Sequence, residues 1–285
     1  MTYHIEIPNV DLHSHMWITT DAGRFRLPFD RKARDMISVL EAMEEGGINV
    51  SALTDTMDDR FLHVRDNIRS LSPRVRSMFE LFDNAIIFDG KIVVFRGEEV
   101  HTDAGDLVVV GNKRKMHVPH KRLPLKDVVD YAFDNGLYVL AAHPFDKHDG
   151  LGEHLDEIVE KVDSLELNPN CSYMVKNFPL LDRRQANEKS RIYALEHKKP
   201  LTATSDSHFH SEVGRGYVAI RNNLSGDNPD EILSGIKKAV SDEQYKNHLR
   251  LASRWELNKL VLTTVWDLQV RNRTGWVYTP FEEGF

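Results

Sequence analysis

The sequence predicts an α/β fold whose strands form a barrel. Short apolar runs alternate with segments of helical periodicity, a pattern typical of parallel strands joined by helices. Histidine and carboxylate side chains follow most of the apolar runs, and the C-terminal strand ends of a barrel converge on one face. A doubly wound sheet would instead concentrate its ligands at one switch point. The length of 285 residues suits one large α/β domain.

Strands are predicted where short apolar runs end in polar or turn residues. These runs occupy residues 7–12, 48–53, 91–95, 107–110, 137–142, 164–167, 201–204 and 217–220. Helices are predicted where apolar residues recur with a period near 3.6. They occupy residues 33–45, 61–82, 125–135, 155–162, 183–197, 230–240 and 242–269. Gly46-Gly47 and Gly136 end two of the helices, and Pro73 breaks the second one.

The chain is predicted to be one barrel domain over residues 1–285, because no stretch rich in Pro, Gly or Ser divides it. Residues 241–285 are predicted to form a C-terminal helix and tail packed on the barrel. Their apolar residues recur at helical spacing, at Leu251, Trp255, Leu262, Val265 and Trp266. The same face would suit a dimer, so the sequence leaves a homo-oligomer open.

Composition narrows the functional class. No apolar run is long enough for a transmembrane helix, and the first residues lack the pattern of a signal peptide, so no membrane contact is expected. Cys171 is the only cysteine, which fits a cytoplasmic protein. The net charge is −7, from 37 basic and 44 acidic side chains. That balance disfavours extended nucleic-acid binding.

The most informative motif is a His-x-His pair at the end of the first apolar run. Side chains two apart on a strand share a face, so His13 and His15 can direct two imidazoles at one point. Neutral imidazole is the commonest protein ligand of transition metals. An isolated His-x-His is more often a polar loop, so the metal interpretation depends on the later strand ends.

Those later ends supply further ligand types, namely Asp55, Glu98, Glu99, His143, Asp206 and His208. Carboxylates can bridge two divalent cations and imidazoles can cap them. A pair of cations can hold a hydroxide and clamp a displacement at phosphorus. The sequence has no Gly-x-Ser-x-Gly elbow, no Walker loop and no His-Glu-x-x-His. We therefore expect metal-dependent hydrolysis without a nucleophilic side chain.

Six short motifs occur in order along residues 9–240. They are Asp-Leu-His-Ser-His at 11–15, Leu-Thr-Asp at 53–55, Gly-Glu-Glu-Val at 97–100, Ala-His-Pro at 142–144, Glu-Leu-Asn at 166–168 and Ser-Asp-Ser-His at 205–208. Together they resemble the PHP family, the polymerase and histidinol phosphatase domain, and Val-Gly-Arg-Gly-Tyr at 213–217 is also similar to it. The resemblance implies a distorted (β/α)7 TIM-like barrel with its metal site at the C-terminal strand ends. It also implies two, or three, ions of zinc, manganese or iron.

The resemblance further implies a phosphoesterase that uses a metal-bound hydroxide on a small phosphorylated molecule or nucleotide. By position, His13 and His15 match ligands of the first metal. Glu99 matches the bridging carboxylate, with Glu98 as the alternative, and His143 matches a ligand of the second metal. The two residues of the last motif also match. Asp206 corresponds to a first-metal ligand with a catalytic role, and His208 to a third-metal ligand or the acid for the leaving group.

The sequence departs from the family pattern at three places. Thr56 stands where a third-metal histidine is usual, and Asp21 lies one residue further from His15 than expected. Asp106 follows Gly105 where a histidine often stands, so either Asp106 or His101 would complete the second metal site. A third cation is therefore expected to be absent or weakly held.

Arg215 is predicted to bind the phosphate, because guanidinium pairs bidentately with phosphate oxygens. Two other functions remain open. Amidohydrolase-type barrels also begin with His-x-His and hydrolyse C–N bonds, although the metal-bridging lysine common among them has no counterpart here. The departures from the pattern would also suit a non-catalytic, metal-binding PHP domain.

Overall fold

The structure is a computed structural model that describes residues 2–15, 36–55, 60–116, 122–170, 185–208 and 210–252. Its strands are β1 (Tyr3–Ile5), β2 (Asn9–Ser14), β3 (Val50–Leu53), β4 (Phe79–Leu81), β5 (Ala85–Phe88), β6 (Ile92–His101), β7 (Asp106–Val110), β8 (Tyr138–Ala141), β9 (Ser164–Leu167), β10 (Leu201–Ala203), β11 (Gly216–Ile220), β12 (Leu224–Gly226) and β13 (Tyr245–Leu249). Its α-helices are α1 (Met36–Gly46), α2 (Arg60–Ser70), α3 (Pro73–Arg76), α4 (Leu125–Asp134), α5 (Ala186–His197) and α6 (Pro229–Ser241).

One sheet of 11 strands dominates the described residues. Its main path runs β10-β9-β8-β7-β6-β3-β2-β11-β13, and β5 and then β4 extend from β6. The remaining strands, β1 and β12, pair antiparallel in a separate ribbon. The predicted mixture of strands and helices is therefore confirmed.

The sheet is mixed rather than parallel, so the strict (β/α)7 pattern is not what the structure shows. The pairs β2–β3, β3–β6, β8–β9 and β9–β10 are parallel, whereas β7 is antiparallel to both of its neighbours. Only residues 102–105 link β6 to β7, and a parallel pair would need a crossover of about a dozen residues or more. The chain therefore turns back as a hairpin, and the start of β7 lies beside the end of β6.

The two ends of this sheet approach each other, which makes it a nearly closed barrel. Ser14, at the end of β2, forms a parallel bridge with Ser207, just beyond β10. The Asn247 side chain of β13 accepts a hydrogen bond from the Ala203 amide and donates one to the Leu201 carbonyl of β10. Closure matters for the site because it brings residues that follow β10 next to the end of β2.

Alternation along the strands fills the barrel interior with apolar side chains. Val93 and Phe95 of β6 belong to one buried cluster with side chains from β2, β3, β7, β8 and α6. Val94, which points the other way, packs outside the barrel with α1 and α2. A third cluster packs α4 against the outer faces of β7, β8 and β9. Helices α1, α2, α4 and α6 thus bury apolar side chains against the sheet, whereas no residue of α3 is buried.

Three helix predictions were wrong over part or all of their length. Residues 79–81, predicted as the end of a helix, form β4 because they pair with β5. Residues 245–249, predicted as the start of the C-terminal helix, form β13, which pairs antiparallel with β11. The prediction for residues 253–285 lies outside the described residues. Residues 155–162 form short 3₁₀ turns instead of an α-helix.

Candidate metal centre

The end of β2 brings two imidazoles together. His13 is fully buried and His15 nearly so, and their Nε2 atoms are 3.2 Å apart. The register between β2 and β3 shifts between Asp11 and Ser14, so the strand is irregular where the histidines leave it. His13 and His15 therefore point their ring nitrogens at one small region beside the sheet.

The long strand β6 places Glu99 in that region. Glu99 continues the inward row that begins with Val93 and Phe95. Its Oε1 lies 3.2 Å from His143 Nε2 and 3.6 Å from His13 Nε2, and its Oε2 lies 3.3 Å from His15 Nε2. One carboxylate thus contacts three imidazoles, as a bridging ligand would.

The neighbouring Glu98 lies on the opposite face of β6. Its Oε2 accepts hydrogen bonds from the Met116 amide at 2.7 Å and from the Asn112 side chain at 3.4 Å. Successive side chains of a strand point to opposite faces, so Glu98 and Glu99 lie on different sides of β6. The sequence alone could not show which of the two faces the centre.

Barrel closure contributes Asp206, just beyond β10. Its Oδ1 lies 3.5 Å from His15 Nε2 and 3.6 Å from His13 Nε2. Asp206 has a positive φ of 44°, a left-handed conformation that costs a non-glycine residue free energy. Its amide donates to the His13 carbonyl at 2.8 Å, which ties this turn to the end of β2.

The hairpin between β6 and β7 contributes Asp106. Because β7 runs antiparallel, its first residue lies at the face where the parallel strands end. Asp106 groups with Glu99 and His143, with one donor atom from each within 4.8 Å of the others. His101 is part-buried and its Nδ1 lies 2.7 Å from Asp106 Oδ1. Asp106 and His101 were the two alternatives predicted for the second metal site. Asp106 belongs to the donor group with Glu99 and His143, and His101 contacts Asp106.

Three groups of donor atoms in the described residues meet the same 4.8 Å spacing. They are His13, His15 and Glu99; His15, Asp206 and His208; and Glu99, Asp106 and His143. His15 and Glu99 are each shared by two groups, so the three form one continuous centre. Mixed imidazole and carboxylate ligands suit zinc, manganese and iron. The donor set fits bound divalent cations.

Comparison with known proteins gives two independent results. Residues 184–241 match the family model PHP_C, described as PHP-associated. The fold resembles the crystal structure of PsfC from Pseudomonas syringae, with a TM-score of 0.54 and 14% identity over 94% of this chain and 99% of that one. It also resembles a two-domain protein from Bacteroides vulgatus that contains a predicted PHP-like metal-dependent phosphoesterase. There the TM-score is 0.52 and the identity 12%, over 88% of this chain and 65% of that one.

The resemblance to the PHP family is confirmed. A search of curated protein sequences found no significant match. At 12–14% sequence identity, the solved structures support the fold of this chain, and they do not identify its substrate. No helix in the described part of the chain has the length and apolar character needed to cross a membrane.

In the metal-free centre, burial and nearby opposite charges determine which histidines and carboxylates are protonated. Burial alone would lower the pKa values of His15 and His143. Neighbouring carboxylates, first Asp206 at His15 and first Glu99 at His143, instead raise these pKa values to about 9 and about 10. Burial would raise the pKa of Glu99 and Asp206, yet the imidazoles hold both well below the usual range. A cation would therefore replace protons on the imidazoles.

His208 has the opposite shift. Burial lowers its pKa to about 4, so the ring is neutral near pH 7. Its Nδ1 donates to the Asp206 carbonyl at 2.9 Å, which makes Nε2 the ring atom that carries the lone pair of the neutral form. A neutral imidazole in this tautomer is suited to accept a proton or to bind a cation.

Glu166 lies on β9 with its side chain completely buried, and the sequence predicted it only as part of the Glu-Leu-Asn motif, not as a residue of the site. The sequence shows Glu166 as the one charged residue of the predicted strand Ser-Leu-Glu-Leu at 164–167, and the structure shows that all four residues are buried. A buried carboxylate needs hydrogen-bond partners. The partners of Glu166 include His13 and His143, which places it beside the metal centre.

Arg215 is buried and its Nη1 lies 3.1 Å from Glu212 Oε1. Glu212 Oε2 in turn accepts from the His208 amide at 2.8 Å, so Arg215 is connected to the centre through Glu212. Gly216 passes so close to Thr204 that an added Cβ would lie 1.8 Å from its carbonyl oxygen. The Gly-Arg-Gly motif thus packs against the segment that leads to Asp206. Asp21 and Thr56 lie outside the described residues.

Proposed function

We propose that this chain is a metal-dependent phosphoesterase whose centre holds two divalent cations. The observation that carries the proposal is the position of Glu99 between two donor groups. His13, His15, Glu99 and Asp206 would hold the first cation, and Glu99, His143 and Asp106 the second. When bound, such a pair lowers the pKa of water and stabilises charge that develops on a phosphoryl group.

The protein's own residues would orient the substrate and manage protons. His208 is neutral near pH 7 and part-exposed, so its Nε2 can accept a proton or a hydrogen bond at the centre, or serve as a ligand in the third group. Arg215 would act on His208 through Glu212 rather than as an open phosphate clamp. Because His208 is neutral, its assignment as general acid requires that the bound substrate raise its pKa.

The fold supports phosphoester chemistry in particular, because it resembles that of a protein from Bacteroides vulgatus that contains a predicted PHP-like metal-dependent phosphoesterase. We propose a small phosphorylated molecule or nucleotide as substrate and the cytoplasm as location. A C–N hydrolase and a non-catalytic metal-binding domain are the alternatives that the experiment must separate.

The test is a panel of phosphate mono- and diesters, assayed with Mn²⁺, Zn²⁺ or Fe²⁺. Asp206→Asn and His13→Ala are expected to reduce the rate by orders of magnitude while the fold persists. His154→Gln, at an exposed imidazole paired with Glu157, serves as the control and should keep the wild-type rate. Full activity in both site variants would assign the hydrolysis to a contaminant. A wild type that binds cations and cleaves only C–N bonds would favour the first alternative, and an inert one the second.

A further inference from the structure

Glu166 links two parts of the centre through one buried carboxylate. Its Oε1 lies 2.6 Å from His13 Nδ1 and also accepts a hydrogen bond from the Thr204 hydroxyl. Its Oε2 accepts from the His143 amide at 2.5 Å and from the Asn168 side chain at 3.2 Å. The side chain has no exposed surface, and it belongs to none of the three donor groups.

We propose that Glu166 is a positioning residue that holds His13 and His143 in one arrangement, so that cation binding at both metal positions depends on it. The inference rests on the proposed metal centre, but it does not depend on which ester the protein cleaves. In this proposal, the Glu166 carboxylate alone fixes how His13 and His143 are placed relative to each other, although the two histidines are far apart in the sequence.

The contact with His13 selects the ring atom that faces the centre. A carboxylate that accepts from Nδ1–H leaves Nε2 as the lone-pair donor. His13 Nε2 is the atom that lies near His15, Glu99 and Asp206. Without the Glu166 acceptor, the ring could rotate or change tautomer, and the first cation would lose a pre-oriented ligand.

The contact with His143 holds the backbone instead of the ring. His143 has a positive φ of 27°, which is unfavourable for a non-glycine residue and persists only where its surroundings hold it. The amide that donates to Glu166 belongs to this same residue, and its Nε2 lies 3.2 Å from Glu99. The short hydrogen bond therefore holds the turn that aims the second-metal imidazole.

The hydrogen bonds to Thr204 and Asn168 keep Glu166 itself in place. A buried carboxylate is tolerated only when its lone pairs are used, and here four donors use them. Asn168 also donates to Asp206 Oδ2 at 2.9 Å, which leaves Asp206 Oδ1 towards His13 and His15. The side-chain amide of Asn168 thus joins the two carboxylates in one hydrogen-bonded network.

The experiment measures Mn²⁺ and Zn²⁺ affinity for wild type and Glu166→Gln by calorimetric titration of chelator-treated full-length protein. Glutamine keeps the shape, but it cannot accept at both ends, because its amide nitrogen is only a donor. Both binding steps are expected to weaken by about 10- to 100-fold, the range for lost outer-shell partners. The His13 Nδ1–H proton of the Zn²⁺-loaded protein should also shift upfield in the NMR spectrum, because a neutral amide is a weaker acceptor than a carboxylate.

Glu98→Gln is the matched control. Glu98 is also a buried glutamate of the same sheet, but it accepts from Met116 and Asn112 on the outer face of β6. A purely structural effect of losing a buried carboxylate would appear in both variants. We expect Glu98→Gln to lower the melting temperature and leave both cation affinities unchanged.

Glu166→Asp covers the case in which Glu166→Gln does not fold. It keeps the charge but withdraws it by one methylene, so weaker binding at both positions is again expected. Affinities within about threefold of wild type in a folded Glu166 variant would overturn the inference, because the outer-shell effect should exceed that. A wild type that binds cations but cleaves no phosphoester would refute the proposed function alone. If cation affinity fell at only one of the two metal positions, Glu166 would position only the histidine of that site. That result would contradict the proposal that Glu166 positions both His13 and His143.

Discussion

Exchanging the carboxylate of Glu99 for an amide should release cations from both donor groups. Its two oxygens lie 3.2–3.6 Å from three imidazole nitrogens, and it is the one carboxylate common to the groups of His13 and His143. Glu99→Gln removes one negative charge and little volume. The expected loss therefore comes from charge, and the packing around the side chain should survive.

The magnitude follows from the burial of the centre. Removing one member of a buried charged pair costs about 3–5 kcal/mol, and about 1.4 kcal/mol is a tenfold change in affinity. Glutamine retains one oxygen that can bind a cation, so we expect the lower end, a loss of about 100-fold. Both binding steps should weaken, because both donor groups contain Glu99.

The assay is competition between the protein and a chromophoric chelator for Mn²⁺ or Zn²⁺. The adjacent Glu98→Gln carries the same substitution one residue earlier, on the face of β6 that contacts Met116. It should bind cations as the wild type does. The reasoning would be refuted if Glu99→Gln kept both affinities, or if Glu98→Gln lost more affinity than Glu99→Gln.

Two further predictions concern stability. In the folded, metal-free protein, the pKa values of His15 and His143 are about 9 and about 10, above the ordinary value of 6.5. Protonation of these two rings therefore stabilises the fold. This stabilisation is complete below about pH 6.5 and is lost as the pH rises through the folded pKa values. Urea unfolding of chelator-treated protein should show this fall between neutral pH and about pH 10, whereas metal-loaded protein, with neutral imidazoles as ligands, should show much less. Separately, Gly216→Ala would place a methyl group 1.8 Å from the Thr204 carbonyl oxygen, so the backbone must move and the melting temperature should fall. An unchanged melting temperature, with cation affinity intact, would show that the approach of Gly216 to Thr204 is not required.

Much of the fold was predictable because local pattern and tertiary role agree there. The strand at residues 164–167 was predicted with its observed bounds, and the helix at 125–135 was placed to within one residue. The direction of β7 could not be predicted, because the predicted strands at 91–95 and 107–110 left a long link, and only the extension of β6 to His101 shortens it to residues 102–105. The strand at Tyr245–Leu249 could not be predicted from periodicity, because it depends on pairing with β11 and on side-chain hydrogen bonds to Leu201.

The site was predictable as a set of residue types and less so as a geometry. Placement at strand ends was enough to nominate His13, His15 and His143, and the structure brings all three to one carboxylate. The distinction between Glu98 and Glu99 needed the inward register of β6, which only the paired strand defines. Glu166 was missed because its partners are a ring nitrogen and a backbone amide, each contributed by a different strand.

The most direct test of the account is elemental analysis of protein purified without chelator, combined with anomalous diffraction at the absorption edge of the metal found. We expect at least two equivalents of divalent metal per chain, with one ion between His13, His15, Asp206 and Glu99 and another between Glu99, His143 and Asp106. Less than one equivalent after purification in the presence of Mn²⁺, Zn²⁺ or Fe²⁺, or metal bound away from Glu99, would contradict it.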